Sequence, residues 1–571
     1  MSTVVLLAFA CVGNAANGQA YQLTNSPESI ETEQGGIGVS AADFNNDGWD
    51  DITIALRGAP PSVLQNNGDG TFTEVGQALG ITHTGDANIP VWVDVNNDGR
   101  SDLFLAQEGE GRNRLYIAQK NGTYQDQLEA YGLDPEARIG SATFADFDLD
   151  GFVDLFLAIK NGYDVLLRNT AGTGFEDVTA VYGVAGADDT MPMQAAWIDY
   201  DRDGDPDLFA MHDLDWESRF YRNDGAGQWP EIGQANGLAY VGPGSSMGVA
   251  WGDTNLDGAP DAYVSRIAFG GLYMNNGNGT FSDESNALGA EVNGVSWGVV
   301  LSDFDNDMDE DLAVATNTSW LGNEPHMMWT NEGGFFTPTQ EGFIPWSKGL
   351  ASGDFNRDGL RDVVSISTKG EHQLLMNETT DAGNWLSVAV GRSETGGTPV
   401  GTRVEVDVAG TTLVRWVAAG DSYCSQSSST VHFGLGAALT ADAVRVYHGA
   451  GITEERVNVA ANQYMSIGDF SISVGTGGGF RDSRPTADPG ITVWPNPSGG
   501  ITNLSFHAER AGLGSVTVYD VTGRERFGLV RAVSPGRNRV SLDQLDLPPG
   551  LYIARISIPG GAVQTTAMIR H

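Results

Sequence analysis

The stretch DFNNDGWDD, residues 43–51, places four aspartates and one glycine in nine positions. Neighbouring carboxylates repel one another and gain nothing from burial, so such crowding is favourable only when something positive sits among them. The pattern returns six times: DVNNDGRSD from Asp94, DFDLDGFVD from Asp146, DYDRDGDPD from Asp199, DTNLDGAPD from Asp253, DFDNDMDED from Asp303 and DFNRDGLRD from Asp354. Successive first aspartates lie 51, 52, 53, 54, 50 and 51 residues apart. Self-similarity at a fixed period is the mark of a repeat architecture.

Each acidic loop has the same flanks. A strand of small and apolar residues precedes it, as in GVSAADF, GSATFADF and MGVAWGD, and an alternating strand follows, as in DITIAL, DLFLAQ and DVVSIS. A third strand then runs into a Gly-rich turn, as in SVLQNNGDGTFTEV and YMNNGNGTFSDE, where Asn-Gly between alternating runs signals a hairpin. Four short strands in about 50 residues match one blade of a β-propeller. The seventh unit supplies only three strands before the chain changes character after QLLMNET, and the N-terminal YQLTN takes the place of the fourth. A strand shared between the two ends closes the ring and leaves no open sheet edge. The expected fold is all-β: a seven-bladed β-propeller over residues 21–380, followed by a small β domain and a C-terminal β-sandwich.

Positions 1, 3, 5 and 9 of the loops carry only Asp or Asn. They are Asp43, Asn45, Asp47 and Asp51; Asp94, Asn96, Asp98 and Asp102; Asp146, Asp148, Asp150 and Asp154; Asp199, Asp201, Asp203 and Asp207; Asp253, Asn255, Asp257 and Asp261; Asp303, Asp305, Asp307 and Asp311; Asp354, Asn356, Asp358 and Asp362. Hard Ca²⁺ takes six to eight oxygens in flexible geometry, which alternating side chains and a backbone carbonyl can supply, whereas softer metals want Cys or His. The glycine at position 6 allows the turn that brings position 9 back. The expected cofactor is therefore Ca²⁺, up to one ion per loop. Met308 occupies the glycine position of the sixth loop, so that loop departs from the rule.

These units resemble FG-GAP/VCBS repeats, the calcium-loop blades of integrin alpha-subunit propellers and many secreted bacterial proteins. From Asn384 the period stops, and an all-β stretch over residues 384–470 resembles the ASPIC/UnbV domain through the run Gly420–Gly436, with Tyr447-His-Gly-Ala where relatives carry Trp-Pro-Ser-Gly. A Gly/Pro/Asp-rich linker spans residues 471–490. The tail 491–571 holds WPNPSGG, VYDVTGRE and LPPGLYIARI, and resembles the type IX secretion C-terminal sorting domain. That resemblance implies transport by the type IX machinery and a secreted or outer-surface location in a Bacteroidota-like bacterium.

With a net charge of −43, nucleic acid is an unsuitable partner. Residues 1–20 read as a signal peptide, Cys11 falls within it, and the remaining chain keeps Cys424 alone. No later run reaches the length of a membrane-spanning segment. No catalytic constellation stands out. GSSMG at 244–248 matches the serine-hydrolase elbow in letters but enters a strand rather than a strand–turn–helix. The loops opposite the acidic face vary most, and Arg112, His212, Trp216, Trp320 and His326 on them form a candidate ligand face. The expected function is non-enzymatic adhesion or recognition of a glycan, matrix component or protein. The alternatives are a polysaccharide-processing enzyme using the propeller pocket, or a structural component of an extracellular assembly.

Overall fold

The computed structural model describes residues 23–25, residues 35–468 apart from short segments (84, 110–111, 189–190, 214–217, 226, 240–244, 318–325, 342–346, 371, 394–396 and 450), and seven strands within 491–570. The signal peptide and the interdomain linker read from the sequence lie outside the described residues. The chain divides into two compact units, residues 1–478 and 479–571.

The first unit holds a β-propeller. Every strand that follows an acidic loop starts at that loop's ninth residue: Asp51–Ala59, Asp102–Gln107, Asp154–Ile159, Asp207–His212, Asp261–Asn275, Asp311–Asn317 and Asp362–Ser367. Each pairs antiparallel with the strand before its loop: Gly36–Ala42, Gly85–Val93, Ile139–Ala145, Pro192–Ile198, Ser246–Gly252, Val292–Ser302 and Ser347–Gly353. These preceding strands lie side by side in chain order, and Ser347–Gly353 returns to Gly36–Ala42. Closure is completed by the N-terminal strand Leu23–Asn25, which pairs with Gln373–Asn377. Small residues on these inner strands let the ring close tightly, since a Cβ at Gly38 or Gly349 would strike neighbouring backbone.

Two units depart from four separate strands. Asp261–Asn275 is one continuous strand that pairs on one side with Ser246–Gly252 and, through Tyr273–Asn275, with Phe281–Asp283. In the fourth unit the outermost strand is reduced to a Tyr221–Glu231 bridge. Aromatic side chains fill the space between units: Phe147 of the third meets Trp229 of the fourth edge-on at 5.5 Å, and Phe209 of the fourth meets Trp251 of the fifth edge-on at 6.1 Å.

Residues 384–467 form a sandwich of two sheets. One orders Val431–Gly436, Asn384–Val390 and Gln463–Ile467, and the other orders Thr411–Trp416, Arg403–Val408, Thr440–His448 and Gly451–Ala460. Its core holds Leu386, Val404, Val406, Leu413, Phe433 and Val446, and Leu256 and Met308 from the propeller's fifth and sixth acidic loops pack against that core. The second unit, considered by itself, has a three-stranded and a four-stranded antiparallel sheet.

Candidate metal centre

The seven acidic loops share one backbone. Position 4 is left-handed in all of them, with φ of 58° at Asn46, 58° at Asn97, 56° at Leu149, 60° at Arg202, 59° at Leu256, 61° at Asn306 and 58° at Arg357. Position 6 also has positive φ, including 97° at Met308, where a side chain is strained. Met308 therefore keeps the loop shape that glycine gives elsewhere, and its side chain is held by the core of the sandwich domain.

Hydrogen bonds fix the carboxylates. Asp43 accepts the N–H of Asp47 at 2.9 Å and of Gly48 at 2.7 Å, and Asp94, Asp146, Asp253, Asp303 and Asp354 accept the matching pair. Position 5 accepts the N–H of position 7, as Asp47 does from Trp49 at 3.0 Å. These Asx-type turns shape the loops. The ninth aspartate ties the loop to its blade: Asp154 accepts from Asn169 N–H at 2.7 Å and from Phe147 N–H at 3.1 Å.

The loops also draw the carboxylates together. One oxygen from each of Asp146, Asp148 and Asp154 lies within 4.8 Å of the others, and the same holds for Asp199, Asp201 and Asp203 and for Asp303, Asp305 and Asp311. Oxygens around one Ca²⁺ at about 2.3–2.6 Å fall in this range. Burial, reinforced by neighbouring aspartates, pushes Asp43 up to about 7, Asp51 and Asp154 to about 9, and Asp199 to about 6. Three buried oxygens, Asp51 Oδ2, Asp199 Oδ1 and Asp305 Oδ1, have no hydrogen-bond partner. An all-oxygen donor set, desolvated carboxyls and orphaned oxygens together fit a hard divalent cation.

The acidic face is partly covered. Arg392 Nη1 donates to Asn97 O at 3.2 Å, Arg403 lies 4.0 Å from Asp199, Tyr464 donates to Asp354, and Ser428 Oγ donates to Asp50 at 2.7 Å. The sandwich domain thus sits on this face and sends residues 419–428 into the central channel. Gln426 pairs with Val39 and Ala41 through its backbone, and its side chain binds the backbone N–H and C=O of Trp92 at 2.8 and 3.0 Å. Ala419 bridges Phe144, Ser422 Oγ accepts from Val299 N–H, and Ser427 Oγ accepts from Ser352 N–H. Cys424 is buried there, and burial pushes its thiol up to about 12. Nothing in the sequence's period announced this insertion.

The candidate ligand face fares differently residue by residue. His212 is buried at 2% exposure, 3.8 Å from the equally buried Asp164, so it does not present a surface group as the variable-loop reading expected. Arg112 is exposed but paired with Glu129 and Glu136. Trp216 and Trp320 lie outside the described residues, and His326 stands at the start of the strand His326–Glu332.

The FG-GAP-like repeat family matches residues 43–105, 94–157, 146–210, 199–264 and 303–365, and every acidic loop falls inside those matches. The chain carries FG-GAP-like repeats. Residues 393–472 match the ASPIC and UnbV family, and residues 492–570 the secretion system C-terminal sorting domain. That sorting domain assigns the protein to type IX secretion, with delivery to the cell surface or exterior in Bacteroidota. No described helix is long and apolar enough to cross a membrane. Mouse (Mus musculus) cartilage acidic protein 1 is 27% identical over 155 residues, a match spanning 25% of this chain and 24% of that protein. Among solved structures, an Agrocybe aegerita lectin specific for non-reducing terminal N-acetylglucosamine aligns at 17% identity and TM-score 0.36, covering 62% of this chain and 92% of its own. BBS1N in complex with ARL6DN aligns at 13% identity and TM-score 0.43, covering 64% and 100%.

Proposed function

We propose that the protein is a calcium-stabilised, non-enzymatic recognition module of the cell exterior, binding a glycan, matrix component or protein through the propeller face opposite the acidic loops. The observation that carries the calcium reading is the backbone shared by the seven loops, together with the convergence of carboxylate oxygens to within 4.8 Å of one another in the third, fourth and sixth. Each ion would tie the two innermost strands of a blade across their connecting loop, so metal binding adds to folding stability by mass action. The filling of the channel by residues 419–428 favours recognition over catalysis, since a polysaccharide-processing enzyme using the propeller pocket would need that space for substrate.

Thermal unfolding of the purified protein in excess Ca²⁺ and after EDTA treatment tests the first half. The reading expects the melting temperature to fall by about 10 °C or more on chelation and to return when Ca²⁺ is restored. An unchanged melting temperature would defeat it. A glycan array probed with the calcium-loaded protein, with hydrolysis assayed in parallel, tests the second half; turnover without retained binding would favour the enzyme.

A further inference from the structure

The sixth acidic loop differs from the others in what covers it. Position 3 is exposed at Asn45, Asp148, Asp201, Asn255 and Asn356 and half-buried at Asn96, but Asp305 is buried at 2% exposure. Its Oδ1 has no hydrogen-bond partner, and one of its carboxylate oxygens lies within 4.8 Å of oxygens from Asp303 and Asp311, both buried.

The cover comes from the ASPIC/UnbV domain. Gly383, just before the domain's first strand, donates its N–H to Asp305 O at 2.8 Å, Gly436 N–H donates to Asn306 O at 2.9 Å, and a His432 ring nitrogen meets Asn306 Oδ1 at 2.6 Å. Gly434 lies so close that a Cβ there would strike Asp303 Oδ2 and the backbone of Asn306. Arg415 closes the side, paired with Glu310 at 3.1 Å and donating to Met308 O at 3.4 Å, while the half-buried Met308 side chain packs against the domain's core.

We infer that the ASPIC/UnbV domain is the lid of the sixth site, sealing one divalent cation between Asp303, Asp305, Asp307 and Asp311, and that lid and ion hold each other in place. This rests on the calcium reading above. The ion cannot leave until the domain lifts, because the residue that faces solvent in most other loops is here roofed by backbone. Conversely, without the ion the lid would close over carboxylates that have lost their water, so docking and binding favour each other equally.

The test follows calcium release from the full secreted chain preloaded with radioactive Ca²⁺ and mixed with excess chelator. The expected result is a fast phase plus a separate phase of about one ion per chain, at least about tenfold slower, limited by domain opening. Gly434→Ala, which props the lid, and His432→Ala, which removes its contact to Asn306, should each speed the slow phase and leave the fast phase unchanged. If Gly434→Ala does not fold, His432→Ala carries the test. Seven ions leaving in one phase, or a slow phase indifferent to both variants, would overturn the lid and leave the calcium reading standing. Absence of bound calcium would overturn both.

Discussion

Asn223 shows how one side chain joins two blades. Its Nδ2 donates to Phe147 O in the third loop at 2.9 Å and to Pro206 O in its own loop at 3.2 Å, while its Oδ1 accepts from Gly225 N–H at 3.0 Å. Asn66, Asn169, Asn275, Asn331 and Asn377 bridge the loops of neighbouring units in the same way. Replacing Asn223 by Ala strands buried carbonyls and should cost about 2–4 kcal/mol, read as a lower urea midpoint with unchanged slope. Asn stands at this place in six of the seven units, with Ala118 in the second, and its recurrence at the end of the third strand was the signal that could have marked it. The partner on the preceding repeat was not visible, because nothing in one repeat's sequence marks a contact to another. At His372, burial pushes the imidazole down to about 4, and it accepts Ser367 N–H at 3.2 Å. An unfolded histidine titrates near 6.5, so below that pH the unfolded chain takes a proton that the folded chain refuses, and stability falls as pH drops from 6.5 toward 4. His372→Asn should remove about 2 kcal/mol of the stability lost between pH 7 and pH 5, measured by urea unfolding at both values. Equal losses in the two proteins would contradict this.

The element that most changes the functional picture is the channel segment 419–428. The sequence marked this region of the ASPIC/UnbV domain by resemblance only, since a segment that binds five different strands of a ring carries no period of its own. Its ties are specific: the Gln426 side chain alone bonds Ser40 and both backbone groups of Trp92. Gln426→Ala should destabilise the first unit by about 2–4 kcal/mol, since buried backbone groups lose their partners. Cys424, buried and held as the thiol, should label with a disulfide reagent only after denaturation. Prompt labelling of the native protein would show that the segment leaves the channel readily. The strand Leu23–Asn25 was legible because its sequence fits the vacant place in the seventh unit, and ring closure requires some strand there.

At the scale of the whole molecule, the repeat period predicted the propeller, because each loop and its flanking strands must recur wherever the same contacts recur. The placement of the ASPIC/UnbV domain on the acidic face could not be read, because contacts between unlike surfaces leave no repeating mark. Met308 was the one trace: a side chain in a position that wants glycine, explained by the neighbouring domain whose core it packs against. That placement leaves the opposite face, where the variable loops lie, as the expected recognition surface. The account stands on cations filling the acidic loops, and the most direct measurement is the metal content of the secreted protein by mass spectrometry after exhaustive dialysis against metal-free buffer. The account predicts calcium as the dominant metal, at several ions and at most about seven per chain, the sixth-loop ion retained longest. A folded protein carrying no divalent cation would contradict it.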